Sequence, residues 1–82
     1  MSYNNLGVIY LKTEQYERAE KYFYKAIALD PGYIKAVCNL GITYFKMKHY
    51  VKAKKWYAIA QKIDPQYVKK RKALFLNKEQ RD

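Results

Sequence analysis

The residue types that ordinarily carry catalysis are sparse here and poorly grouped. His49 is the only histidine and stands in the polar junction Lys46-Met47-Lys48-His49, where a lone imidazole reads as a surface residue rather than a base. Cys38 is the only cysteine; with no histidine nearby to draw off its proton it reads as a packed thiol. A single cysteine excludes an internal disulfide, and no Cys/His spacing resembles a zinc site. Glu14, Glu17 and Glu20 recur every third residue beside Arg18 and Lys21, a pattern of pairing along a helix surface rather than of acid and base. No glycine-rich loop is present to cradle a phosphate. Catalytic, metal and cofactor sites therefore have no candidates, and the expectation is a protein without enzymatic activity or cofactor. The chemistry that remains is recognition, by asparagines that offer N–H and C=O together and by lysines that attract carboxylates or phosphates.

Lysine and arginine dominate the charge. The 82 residues carry a formal net charge of +10, which points to acidic partners: nucleic acid, an anionic membrane or acidic protein segments. The excess is uneven. Residues 1–34 hold Lys12, Arg18, Lys21 and Lys25 against Glu14, Glu17, Glu20 and Asp30 and sum to zero, so the whole excess lies in residues 35–82. Lys48, Lys52, Lys54 and Lys55 form one cluster, with Trp56 and Tyr57 adjacent, and Lys69, Lys70, Arg71 and Lys72 form another. Phosphate neutralisation plus ring stacking would suit nucleic acid. Lysine, however, far outnumbers arginine, the residue that planar two-point recognition favours, so solvated helix faces are the expectation and nucleic acid is disfavoured. No apolar run approaches the roughly 20 residues a membrane span requires, and the first residues do not read as a signal peptide. The default expectation is a cytoplasmic protein.

The elements that must position these side chains emerge from an internal repeat. Sliding the sequence by 34 residues pairs Asn5 with Asn39, Leu6 with Leu40, Gly7 with Gly41, Tyr10 with Tyr44, Lys12 with Lys46 and Tyr16 with Tyr50. It also pairs Ala19 with Ala53, Lys21 with Lys55, Ala26 with Ala60, Asp30 with Asp64 and Pro31 with Pro65. Each unit reads as two helices: Tyr3, Leu6, Tyr10 and Leu11, and likewise Val37, Leu40, Ile42, Tyr44 and Phe45, recur at helical spacing, and a second periodic stretch follows a short polar junction. Thr13 is the expected N-cap of that second stretch, with Glu14 and Glu17 in its first turn. Asp30-Pro31 and Asp64-Pro65 stop the helices, because proline cannot continue one and pushes its predecessor out of the α region. The tail has apolar residues at Tyr67, Val68, Leu74 and Phe75 and reads as a fifth helix.

This pattern resembles the tetratricopeptide repeat: Tyr3, Leu6-Gly7, Tyr10, Ala19, Phe23, Ala26 and Pro31 in one unit, and Val37, Leu40-Gly41, Tyr44, Ala53, Tyr57, Ala60 and Pro65 in the next. The resemblance implies an all-α fold: antiparallel helix-turn-helix repeats stacked as a short right-handed superhelical array, an α–α solenoid of five helices. A single domain over 1–82 would comprise a first repeat over about 1–33, a second over about 34–67, and a capping helix or partial third repeat over about 68–80. Gly7 with Ala19, and Gly41 with Ala53, are read as small residues that let paired helices approach; glycine within a helix is otherwise unfavourable by about 1 kcal/mol. The ten tyrosines are read chiefly as core and interlayer packing. Glu14 and Lys48 stand where the family usually has a glycine turn, and Gln61 where an apolar residue is usual.

The resemblance further implies protein interaction, with an extended or helical segment of a partner bound on the concave face. The family's groove positions fall on Asn4, Asn5, Val8, Leu11 and Lys12 in the first unit and on Lys35, Cys38, Asn39, Ile42, Phe45 and Lys46 in the second. The terminal helix would add Lys69, Lys72, Ala73 and Leu76. An acidic peptide with one or two apolar anchors would be complementary to this mixture, and Asn5 and Asn39, each before Leu-Gly, are its leading polar contacts. The set with which some relatives clamp a C-terminal carboxylate is incomplete. In one register Asn39 and Lys69 match while Val8 and Ala73 replace the required Asn and Arg; in the other, Asn5 and Lys35 match while Asn39 replaces the Arg. Because arrays of this kind need about three units for stability, self-association through exposed repeat ends is a further expectation. A first helix beginning almost at Met1, with no cap before it, fits either a piece of a longer array or a chain that completes its core by self-association.

Overall fold

The structure, a computed structural model, describes residues 2–71. Four helices form two hairpins: α1 (Tyr3–Lys12) with α2 (Tyr16–Leu29), and α3 (Ile34–Lys46) with α4 (Tyr50–Ile63). Residues 65–71 are helical as well and are denoted α5. No strand occurs among the described residues. Consecutive helices pack against one another, and α1 also reaches α3. The third helix is thus the central one, and its run from Ala36 to Tyr44 is buried throughout.

Local chemistry accounts for the helix ends. Ser2 has an extended backbone, and its hydroxyl accepts the Asn5 N–H at 3.1 Å, so α1 is capped, contrary to the expectation from sequence. Both hairpin turns share one geometry. At the first, the Glu14 N–H donates to the Leu11 carbonyl and the Gln15 N–H to the Tyr10 carbonyl; at the second, Lys48 donates to Phe45 and His49 to Tyr44. These nested bonds are the Schellman closure, which requires a left-handed residue after the helix. Glu14 supplies it at φ 62° and Lys48 at φ 66°. Thr13 is consequently the end of α1 and not the cap of α2: its hydroxyl lies against the Ile9 carbonyl and accepts from Gln15 Nε2. Gln15 precedes α2 without a side-chain cap, and of the two glutamates only Glu17 falls in the first turn.

The two Asp-Pro junctions differ. Asp30 Oδ1 accepts the Gly32 N–H at 3.3 Å, and a short turn separates α2 from α3. Asp64 Oδ1 instead accepts the Tyr67 N–H at 3.1 Å, capping a helix that starts at position 65, where proline suits the first turn. With Gln66 in place of Gly32, the chain re-enters a helix at once, three residues ahead of the position that the 34-residue register gives.

Two apolar clusters fill the interior. Ala19, Phe23, Leu40, Tyr44 and Ala53 form one, and Val37, Cys38, Ala60 and Val68 the other. Ala19 is fully buried as expected, but the group that forbids a side chain at Gly7 is the Phe23 ring. Of the tyrosines only Tyr44 is fully buried; Tyr3, Tyr24 and Tyr50 are exposed and the rest are intermediate. The expectation of tyrosines as interior packing therefore gives way to a partly solvated arrangement: Tyr3 and Tyr10 both stack on Tyr22, with Arg18, Lys21 and Lys25 over their faces. Tyr44 bridges the hairpins. Its hydroxyl donates to Glu20 Oε2 at 2.5 Å and meets the Tyr24 hydroxyl at 3.0 Å. Burial first, then these bonds, push its phenol far above the usual range.

Candidate functional site

The inner faces of α1 and α3 hold the asparagines and apolar residues that α-helical spacing aligns along one side. Asn4, Val8, Leu11 and Lys12 on α1 and Lys35, Asn39, Ile42 and Lys46 on α3 line one open groove of about 550 Å³. Glu14, Tyr16, Tyr67 and Arg71 complete its lining. The floor is an asparagine pair, with Asn4 and Asn39 only 5% and 7% exposed. Asn39 Nδ2 donates to Asn4 Oδ1 at 3.2 Å, and the Asn39 main-chain carbonyl accepts from the Thr43 hydroxyl at 2.8 Å. An Asn–Asn bond of this kind uses one NH₂ and one C=O; whichever way the amides are assigned, one donor group and one acceptor stay available to the groove. Val8, Leu11 and Ile42 flank that pair, and Lys12, Lys35 and Lys46 stand at the exposed margins.

Four residues expected in this site lie elsewhere. Asn5 is exposed and absent from the groove lining, and its main-chain N–H is engaged by the Ser2 cap. Cys38 is fully buried among Val37, Ala60 and Val68, so it faces the interior and not a ligand. Burial pushes its thiol up to about 11, opposed by the charge of Arg71. Phe45 is half-buried, packed on the first cluster and edge-on to Tyr50 with ring centroids 5.5 Å apart. Lys69 is exposed and outside the groove lining. Lys72, like Ala73 and Leu76, lies outside the described residues.

Sequence reasoning missed Tyr67 and Arg71, which close one end of the groove. Arg71 Nη1 donates to the Tyr67 hydroxyl at 3.2 Å, and the guanidinium carbon lies 5.5 Å from the centroid of the same ring. The signal was legible: in the 34-residue register Arg71 falls on Tyr3 and Val37, so a cation occupies the place of a large packing residue. Among the described residues no group of three or more His, Cys, Asp or Glu side chains is arranged to hold a metal. No helix among them is long and apolar enough to cross a membrane.

A stack of antiparallel helix pairs with matching packing in each pair defines an α–α repeat array. The tetratricopeptide repeat profile matches residues 1–33, and a second profile of the same repeat matches residues 34–67. The chain belongs to the tetratricopeptide repeat family, whose repeats generally mediate protein–protein interactions and whose members are typically scaffolds rather than enzymes. Neither the curated proteins nor the solved structures give a match to this chain.

Proposed function

We propose that this chain is a protein-interaction module whose α1/α3 groove binds an extended segment of a partner rich in acidic and apolar side chains. The observation that carries this reading is the buried Asn4–Asn39 pair with its spare donor and acceptor. That is the complement of one peptide group of an extended backbone, which presents an N–H and a C=O and has no partner strand of its own. Apolar Val8, Leu11 and Ile42 on either side would receive side chains alternating with those contacts. Lys12, Lys35 and Lys46 would attract carboxylates by long-range charge and raise the rate of encounter more than the final affinity.

Selection of displayed random dodecapeptides on the intact chain tests the reading. Enriched sequences should combine Asp or Glu with one or two large apolar residues. Asn39→Ala, which strands the Asn4 amide, should weaken their binding by about tenfold or more; Val8→Glu, which leaves the floor intact but blocks the apolar wall, should do the same. The rival is an anion-binding surface formed by exposed Lys52, Lys54 and Lys55 on α4. Binding that ignored both groove variants, vanished when those lysines were reversed to Glu and fell steeply with salt would establish the rival and end the groove reading.

A further inference from the structure

Arg71 is the groove residue whose donors are least satisfied. Its Nε is buried and has no hydrogen-bond partner, the only side-chain atom of which this is true among the described residues. A guanidinium has five N–H donors, and the single bond it makes among the described residues goes from Nη1 to Tyr67. The neighbouring carboxylate of Asp64 is committed to the Tyr67 N–H and forms no ion pair with Arg71. With Nη1 held by the tyrosine and Nε enclosed, a small turn of the guanidinium is what would present the Nε–Nη2 edge, the edge that takes a carboxylate side-on with two parallel bonds. The Nε–H has already lost its water. An acceptor brought there therefore gains more than one brought to a hydrated lysine, since the desolvation is met in the free chain. The charge of the lining points the same way, with Lys12, Lys35, Lys46 and Arg71 against Glu14 alone. Position 71 is also not one of the carboxylate-clamp positions, which in this register fall at Lys69 and Ala73.

We propose that Arg71, braced by Tyr67, is the anion anchor of the groove and sets its preference for a peptide that brings a carboxylate to the α5 end. This rests on the peptide-binding reading above. The carboxylate can belong to an Asp or Glu side chain or to a C-terminus, and the experiment separates the two. Two decapeptide pools serve as probes, one randomised over Glu, Leu and Ser and one with Gln in place of Glu, each made as the free acid and as the C-terminal amide. Nitrogen-15 spectra follow the Arg71 Nε–Hε signal together with the side-chain amides of Asn4 and Asn39.

The amidated Glu pool should move all three signals saturably, whereas the amidated Gln pool should leave Arg71 unmoved. Movement by the free-acid Gln pool assigns the anchor to a chain terminus. Arg71→Gln should weaken binding of the Glu pool about tenfold or more and Arg71→Lys, which keeps the charge without the fork, by a smaller factor; Lys69→Gln should change it less than about twofold. The anchor is overturned if probes that move the asparagine amides leave the Arg71 signal in place and bind Arg71→Gln equally well, an outcome that leaves the peptide groove standing. Peptides that move neither asparagine remove the groove reading and the anchor with it. A thymidine decanucleotide that moves Arg71 when the Glu pool does not also overturns it.

Discussion

A methyl group built on Gly7 would lie 2.5 Å from Cε1 of Phe23 and 2.6 Å from Cδ1. The ring is fully buried at the centre of the first cluster, so it has no free space to retreat into. Gly7→Ala gains about 1 kcal/mol in helix propensity but overpacks a filled interior, at about 1–3 kcal/mol. The expected outcome in urea unfolding is a net loss of about 1 kcal/mol; a gain would show that Phe23 turns aside. Cys38 gives a pH dependence of definite sign. Its folded pKa is about 11 against an ordinary 9.0. Between those values the unfolded chain releases a proton that the folded chain keeps, so this contribution is complete below pH 9 and is lost as pH rises toward 11. The slope approaches about 1.4 kcal/mol per pH unit. Denaturation at pH 8 to 10 should show stability falling, and Cys38→Ala should flatten that fall. Tyr44, raised in the same direction, adds a loss at higher pH that the cysteine variant retains.

At the level of elements, both hairpins turn through a left-handed residue that is not glycine. A side chain in that region is unfavourable by about 1–2 kcal/mol, partly offset because glycine loses more freedom on folding. Glu14→Gly and Lys48→Gly should each stabilise the chain by about 0.5–1 kcal/mol, read as a rise in thermal midpoint; a fall at either site would show that its side chain makes a contact worth more than the strain. The repeat and its four helices could be read from periodicity and proline, because those signals are local. The caps were less legible: Thr13 looks like an N-cap until the chain is seen to close α1 through it. The lining of the candidate groove was legible where register and surroundings agree, as at Asn4, Val8, Lys35, Asn39 and Ile42. It failed where neighbours differ between units. Cys38 is the counterpart of Asn4, but Val68 of α5 covers it. Asn5 is the counterpart of Asn39, but no described helix lies on its side of α1, and there Ile9 is 47% exposed whereas its counterpart Thr43 is 0% exposed. A pattern within one unit does not encode what the adjoining unit buries.

For the whole molecule, charge and architecture are coupled through the seam between the hairpins. The first 34 residues are neutral in sum and the remainder carries the +10, so bringing α3 and α4 onto α2 gains little long-range attraction. The seam is held instead by Phe23, Leu40 and Tyr44 and by the bonds from Tyr44 to Glu20 and Tyr24. No ion pairs offset the lysines among the described residues, while Lys52 rests over the Tyr44 ring at 5.4 Å. Self-repulsion of that kind is long-ranged and screened over about 10 Å at 0.1 M salt. Raising sodium chloride from 20 to 300 mM should therefore raise the thermal midpoint, by about 4–8 °C for each kcal/mol of repulsion removed. The same salt should weaken capture of an acidic peptide, because Lys12, Lys35 and Lys46 then steer it less. Stability and affinity would move in opposite directions along one axis. A midpoint that falls with salt would mean that attraction and not repulsion dominates the charged surface. An acidic peptide whose affinity ignores salt would mean that the groove lysines take no part in its capture.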